Sequence, residues 1–163
     1  SVRQGDAFNI DGALVEVLSP VGDVASMAMS DNNQSLLLRL SFGQRSFLLT
    51  GDIEKEAEAR LVEAGTNLRA DVLKVAHHGS RTSTTAEFLE RVKPEHAVIS
   101  VAEPSPYGHP HPEVVERLQA SGAHIWRTSR CGAVTISTDG HDLRVETFVR
   151  CESGKQSGGT ASR

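Results

Sequence analysis

Apolar and polar positions along the chain follow two periods in turn. Residues 13–18 (ALVEVL), 35–40 (SLLLRL) and 45–50 (RSFLLT) are short runs of apolar and β-compatible residues bounded by Gly, Ser, Asn or Asp, which predicts strands. Residues 41–44 (SFGQ) join the last two as a hairpin turn, and the polar stretch 20–33 reads as a loop. From Ile53 the period lengthens: Ile53, Ala57, Leu61 and Ala64 share one helical face, Glu54 and Glu56 complement the macrodipole in the first turn, and Gly65 ends the helix. Residues 71–75 (DVLKV) form a strand running straight into His77-His78-Gly79. Thr84 and Glu87 then have capping-box spacing before a helix that buries Phe88, Leu89 and Val92. The continuous apolar run 97–101 (AVISV) is a buried strand. A further helix starts at about Pro112, turns Val114, Val115 and Leu118 inward and stops at Gly122. Strands at 123–127, 132–138 and 143–149 follow. Strand and helix in alternation, with hairpins at each end, predict an α/β fold with a mixed sheet and flanking helices. Residues 152–163 have no apolar side chain larger than alanine, so the division is one domain over 1–150 and a disordered tail over 151–163.

At 163 residues, 38% hydrophobic and 23% charged, the composition is that of one soluble domain. No apolar run approaches the roughly 18 residues of a spanning helix, which places any membrane attachment outside this chain. The chain opens on Ser1 with no basic-then-apolar leader, so a fragment boundary is expected there. A formal charge of −4 excludes a general basic nucleic-acid surface, whereas a metal centre would supply the missing positive charge locally. Cys131 and Cys151 lack CxxC spacing, which argues against a cysteine-based zinc site. Bridged and free states both remain open for them.

Three clusters carry candidate chemistry. Asp52 follows the apolar strand 45–50 through Gly51, at the strand end where α/β sheets place functional groups; the structural alternative is that it caps the helix beginning at Ile53. His77 and His78 leave a second strand end beside Gly79, which lets the backbone turn tightly next to a ligand, and imidazole is the commonest side-chain metal ligand. The third cluster is Tyr107-Gly108-His109-Pro110-His111 after the apolar strand 97–101. There His109 reads as functional, and His111 as a structural residue at the start of the following helix. Asn32-Asn33 is a turn on composition alone. His96, His124 and His141 read as surface or strand-edge residues.

Together these segments resemble the C-terminal half of the metallo-β-lactamase-like domain of ComEC-family competence proteins, the DNA-uptake channels of the bacterial inner membrane. The resemblance runs through residues 31–39 (DNNQSLLLR), 47–54 (FLLTGDIE), 71–80 (DVLKVAHHGS), 97–101 (AVISV), 107–118 (YGHPHPEVVERL) and 126–139, covering most of the chain from about Asp11 to Val149. It implies an αββα fold of which this chain is the C-terminal half, and a centre of two divalent ions, Zn or Mn. By the same resemblance Asp52 bridges the metals and His78 is a ligand. His77 is an alternative ligand or a contact to the substrate phosphate, His109 faces the site as a phosphate contact or proton donor, and Asn32, Asn33 and Ser80 lie on the substrate side. The upstream HxHxDH motif of the fold, HxDxDH in this branch, does not occur in the sequence. Two metals need several His and Asp ligands, so the remaining ones are expected from an upstream half-domain.

The implied activity is phosphodiester hydrolysis of DNA by the intact domain, with this chain incomplete and inactive alone. The implied partners are DNA, the upstream half-domain and the membrane channel of the same parent protein. The implied location is a soluble, extracytoplasmic domain of an inner-membrane protein. Two other readings stand beside it: a hydrolase of small phosphoesters with the same fold, and a catalytically silent domain that binds nucleic acid or a partner. An isolated half is also expected to expose the apolar sheet face that its other half covers, and so to self-associate.

Overall fold

The computed structural model describes residues 2–20 and 30–151 of the chain. The tail 152–163 and most of the loop expected over 20–33 therefore lie outside the described residues. Strands β1 (Ala7–Ile10), β2 (Ala13–Ser19), β3 (Leu37–Phe42), β4 (Arg45–Leu49), β5 (Val72–Lys74), β6 (His96–Ile99) and β7 (His124–Arg127) lie side by side in chain order in one sheet. The first four are antiparallel neighbours, and β4 to β7 run parallel. Each parallel step crosses over through a helix, as parallel strands require: α1 (Lys55–Glu63), α2 (Ala86–Val92) and α3 (Pro112–Ala120). A one-turn helix α4 (Thr128–Cys131) leads to a separate hairpin of β8 (Val134–Thr138) and β9 (Leu143–Thr147).

The core lies between the sheet and the helices. Leu37, Leu48, Leu73, Ala97, Ile99 and Ile125 from the strands are buried with Leu61 of α1, Phe88 and Val92 of α2, and Val114 and Leu118 of α3. Register places Phe8, Ile10, Leu38, Leu40, Phe42, Phe47 and Leu49 together on the opposite face of β1, β3 and β4. That face is apolar but only partly covered, with Ile10 60%, Phe8 43% and Leu49 38% exposed.

Several sequence expectations change in detail. The helix expected from Ile53 begins two residues later, because Ile53 is buried in the turn that precedes α1. The cap of α2 is Thr85, whose hydroxyl accepts from the Phe88 N–H at 3.3 Å, and not Thr84. Thr84 is instead held at φ +58° with its N–H on the Glu58 carboxylate. His96 is not a surface residue: it is buried, and its Nδ1 accepts from the Trp126 indole N–H at 3.1 Å. Cys131 and Cys151 are bridged, which ties the segment after β9 to α4. The tip of the β8–β9 hairpin is fastened to the β3–β4 turn, where the Gln44 N–H donates to the Gly140 carbonyl at 2.7 Å and the Arg45 guanidinium to that of His141.

Candidate metal and catalytic site

Strands β4, β5 and β6 are adjacent and parallel, so the segments leaving their C-terminal ends meet along one edge. Asp52 follows β4, His77 and His78 follow β5, and Ser100 and the loop to His109 follow β6. Sequence-distant side chains converge there for that reason alone.

The geometry at Asp52 removes its structural alternative. Helix α1 starts at Lys55 with Glu54 in the capping position, so the Asp52 side chain is not its cap. Its backbone N–H is held by the Ser35 hydroxyl at 3.1 Å. Gly51 has φ +57°, and a Cβ there would sit 2.8 Å from the Ser35 Cβ, so the turn that presents Asp52 needs glycine on both counts.

His77 (φ +47°) and His78 (φ +56°) are consecutive non-glycine residues in the left-handed region, a conformation costing about 1–2 kcal/mol per residue. Surrounding bonds hold it. The His77 N–H donates to the Gly51 carbonyl at 3.2 Å, the Ser80 N–H to that of His77 at 2.9 Å, and the His111 N–H to that of Gly79 at 2.8 Å. Backbone strain fixed from several sides is found where side-chain direction matters. Here the two imidazoles stand edge to face, the rings 6.4 Å between centroids and inclined at 65°.

His78 Nδ1 lies 2.7 Å from the Ser100 carbonyl. A carbonyl only accepts, so Nδ1 carries a proton, and in the neutral ring it is Nε2 that holds the lone pair. That Nε2 is 3.9 Å from Asp52 Oδ1, too far for a hydrogen bond. Two atoms bound to one ion at roughly 2.0–2.2 Å each lie within about 4.3 Å of each other. The separation and the donor types therefore suit a shared divalent ion. Among the described residues no group of three or more His, Cys, Asp or Glu is arranged to hold a metal. Asp52 and His78 thus bring two ligand-type atoms within reach of one point, which is fewer than a full coordination shell.

Beside that pair, His77 Nδ1 lies 3.6 Å from Glu54 Oε1, an electrostatic contact beyond hydrogen-bond range. Glu54 accepts from the Thr82 hydroxyl at 2.7 Å and the Ser30 hydroxyl at 3.0 Å. The Thr82 bond above all, helped by Ser30, His77 and Asn32, holds its carboxyl below the ordinary value against the effect of burial. The His109 ring stands 5.8 Å from that of His77 and 6.0 Å from exposed Tyr107. Burial, then the neighbouring His77, His78 and His111, push His109 below its ordinary value. Gly79 makes this contact possible, since a Cβ on it would meet the Pro110 Cβ at 2.7 Å.

The remaining expected residues divide. Asn32 is half-buried in a 3-10 turn beside Glu54. Asn33 is not a surface group: its carbonyl oxygen accepts from the Glu54 N–H at 2.8 Å and its amide donates to Glu56 at 3.2 Å. Ser80 is buried too, with its hydroxyl 3.0 Å from that of Thr82. His111 stands at the start of α3 without making a side-chain cap. Sequence reasoning gave Glu54 no part in the site and passed over Lys74, a charged residue in the apolar strand β5. Burial lowers the Lys74 pKa while Asp52 opposes the effect. An ionisable group inside an apolar run was the available signal.

A seven-stranded mixed sheet with flanking helices, and with a carboxylate and an imidazole meeting at the carboxyl edge of its parallel strands, places the chain in the metallo-β-lactamase fold. The chain superposes on a mutant of the β-hydroxylase CmlA with a TM-score of 0.50 at 12% identity, covering 89% of this chain and 33% of that one. No protein-family model matches the chain. By sequence it is one segment of the ComEC family of competence proteins. It is 41% identical over 147 residues to ComE operon protein 3 of Bacillus subtilis, covering 90% of this chain. It is also 35% identical over 133 residues to Recombination protein 2 of Haemophilus influenzae, covering 82% of this chain. Competence protein ComA of Neisseria gonorrhoeae is 40% identical over 107 residues, 65% of this chain. The chain spans only 18%, 16% and 16% of those three relatives.

Proposed function

We propose that this chain supplies half of the metal centre of a phosphodiester hydrolase that acts on DNA in competence. The observation that supports it most is the 2.7 Å approach of His78 Nδ1 to the Ser100 carbonyl, which commits Nδ1 as a donor and leaves Nε2 of the neutral ring facing Asp52. Such an outer-shell carbonyl fixes both tautomer and ring orientation in histidine ligands. Asp52 and His78 would hold the ion, Zn or Mn, with the other ligands coming from outside the described residues. A divalent ion held there supplies charge neutralisation and water activation for phosphodiester cleavage.

The chain's own groups have separate tasks in this reading. His77, steadied by Glu54, and His109 face the scissile phosphate, one as a hydrogen-bond donor and the other as a proton donor. Asn32 lies on the substrate side. Asn33 and Ser80 act through Glu54 and Thr82, and therefore position the site without touching substrate. Residues 1–150 form the C-terminal half of the domain. The parent is an inner-membrane protein with this part outside the cytoplasm, a placement consistent with the Cys131–Cys151 bridge. Among the described residues no helix is long and apolar enough to cross a membrane.

The test uses the intact parent protein, with metal content measured by mass spectrometry and cleavage followed on a labelled oligonucleotide and on a chromogenic phosphodiester. Asp52→Ala and His78→Ala are each expected to reduce bound metal and abolish metal-dependent cleavage of DNA. Unchanged turnover in Asp52→Ala removes the proposal, and cleavage of the small ester alone replaces DNA by a small phosphoester. The 163-residue chain by itself is expected to show no cleavage.

A further inference from the structure

A second group of charged side chains lies two strands away from the ligand pair. Arg127 ends β7, on the same sheet face as Ile125, and opens into a cleft of about 330 Å³ walled by Val115 of α3, Ile125 and the Cys131–Cys151 bridge. Arg130 of α4 lines the same cleft. Thr128 anchors this corner, since its hydroxyl bonds both the N–H and the carbonyl of Val101, at 2.8 and 3.0 Å.

The chemistry of the cleft is unbalanced. Arg127 is half-buried, yet among the described residues its guanidinium donates no hydrogen bond and has no carboxylate within 4.0 Å. Among the described residues its charged neighbours are a second cation, Arg130, and one acid, Glu103, which is 3.9 Å from Arg130 and well exposed. Burial and Arg130 both lower the Arg127 pKa, with Glu103 opposing them. A guanidinium carries five donors in a planar fork suited to phosphate oxygens. Two of them face one partly enclosed space in which, among the described residues, the other polar lining side chain is the neutral Gln119, so the pair has no matching negative charge there.

We infer that Arg127 and Arg130 form a phosphate subsite for a nucleic-acid strand whose neighbouring phosphodiester lies at the Asp52–His78 edge. The position supports a polymer. β5 and β7 are separated by one strand, so their C-terminal ends lie about 10 Å apart, on the edge that also carries His78. A single phosphate cannot reach both places, whereas a strand with repeated phosphates can. The chain's net charge of −4 gives this local pair more weight, because the surface as a whole does not attract nucleic acid. The inference rests on the hydrolase reading for its substrate class, but its test does not need catalysis.

Binding of a fluorescent single-stranded oligonucleotide to the full chain is measured by anisotropy in EDTA over a range of salt concentrations. Arg127→Gln and Arg130→Gln are each expected to weaken binding about three- to tenfold and to reduce the log–log salt slope by about 0.7. Arg127→Lys retains most of the slope. A double variant with wild-type affinity and slope overturns the inference. Thermal unfolding separates binding from a structural role. Inorganic phosphate is expected to raise the Tm of the wild type but not of Arg127→Gln, and Arg127→Gln without phosphate is expected to melt no lower than wild type. A lower melting point for both Arg127→Gln and Arg127→Lys, with no phosphate effect on the wild type, makes the residue structural and overturns the inference. Stabilisation by inorganic phosphate with no arginine-dependent oligonucleotide binding confines the cleft to free phosphate and overturns the nucleic-acid assignment. Arginine-dependent binding without metal-dependent cleavage in the intact protein sinks the hydrolase reading alone. Cleavage indifferent to both arginines sinks only this one.

Discussion

The two histidines after β5 show how one residue's conformation can set a site. Both lie at positive φ, so each Cβ leaves the backbone in a direction an ordinary strand-to-helix turn does not offer. Gly79 then lets Pro110 close over the turn. Gly79→Ala would place a methyl group 2.7 Å from the Pro110 Cβ at a residue with φ +81°. The expected cost is at least about 1–2 kcal/mol from the left-handed conformation alone, read as a lower urea midpoint. Glu54→Ala removes the acceptor for Thr82 and Ser30, and is expected to cost about 1–2 kcal/mol. An unfolding midpoint unchanged by Glu54→Ala would show that the acid does not organise this edge. At this scale the meeting of Asp52 and His78 at one sheet edge was legible because each is placed just past an apolar strand. Ser100 was not, since it acts through a main-chain carbonyl that every residue possesses. Asn33 read as a turn residue because a one-dimensional pattern does not show that its partner Glu54, 21 residues on, lies beside it.

At the scale of elements, the period of the apolar residues located β2 to β7 and the three longer helices to within a few residues, because each presents a face to a single core. It missed β1, four residues long and exposed throughout, which has no buried face to produce a period. It placed the α2 cap one residue early because Thr84 and Thr85 are both good caps, and a tertiary contact decides between them. That contact is Glu58, fully buried in α1, whose carboxylate receives the N–H groups of Thr84 and Thr85. Arg117 of α3 donates to the Thr84 and Ser83 carbonyls at 2.8 and 3.0 Å, closing the same loop from the other side. Burial raises the Glu58 pKa above its ordinary 4.5, with the two N–H groups and Arg117 opposing the shift. The folded state therefore holds this proton more tightly than the unfolded chain. The resulting stability is complete below the ordinary value and is lost as pH rises through the folded one. Urea unfolding across that range should show Glu58→Gln losing less stability with rising pH than the wild type. Parallel curves would assign the carboxyl no linkage.

For the molecule as a whole, the strands were legible but the sheet to which β8 and β9 belong was not, since no local pattern reports which edge a hairpin joins. The structure keeps that hairpin separate, pinned at its tip by Gly140 and His141 and at its base by the disulfide. The bridge closes a sequence separation of 20 residues, which corresponds to about 3 kcal/mol of restricted unfolded-state entropy. Reduction should lower the unfolding free energy by about that amount, measured with and without dithiothreitol. The open sheet face has a different consequence. Phe8, Ile10, Phe42 and Leu49 are 43%, 60%, 37% and 38% exposed on one face of the β1–β4 part of the sheet, linked across β2 and β3 by the apolar Val15, Leu40 and Phe47 of the same face. Contiguous apolar surface of this kind drives association. Among the described residues β1 is an edge strand, a position that offers backbone groups for pairing. Light scattering after size exclusion should therefore give a mass that grows with protein concentration. Ile10→Lys with Phe8→Lys should restore the monomer, by charging both the face and its edge. A wild-type chain that remains a monodisperse monomer at every concentration would mean the face is covered in solution by the chain's own residues, and the reading of this fold as half of a sandwich would lose its main physical support.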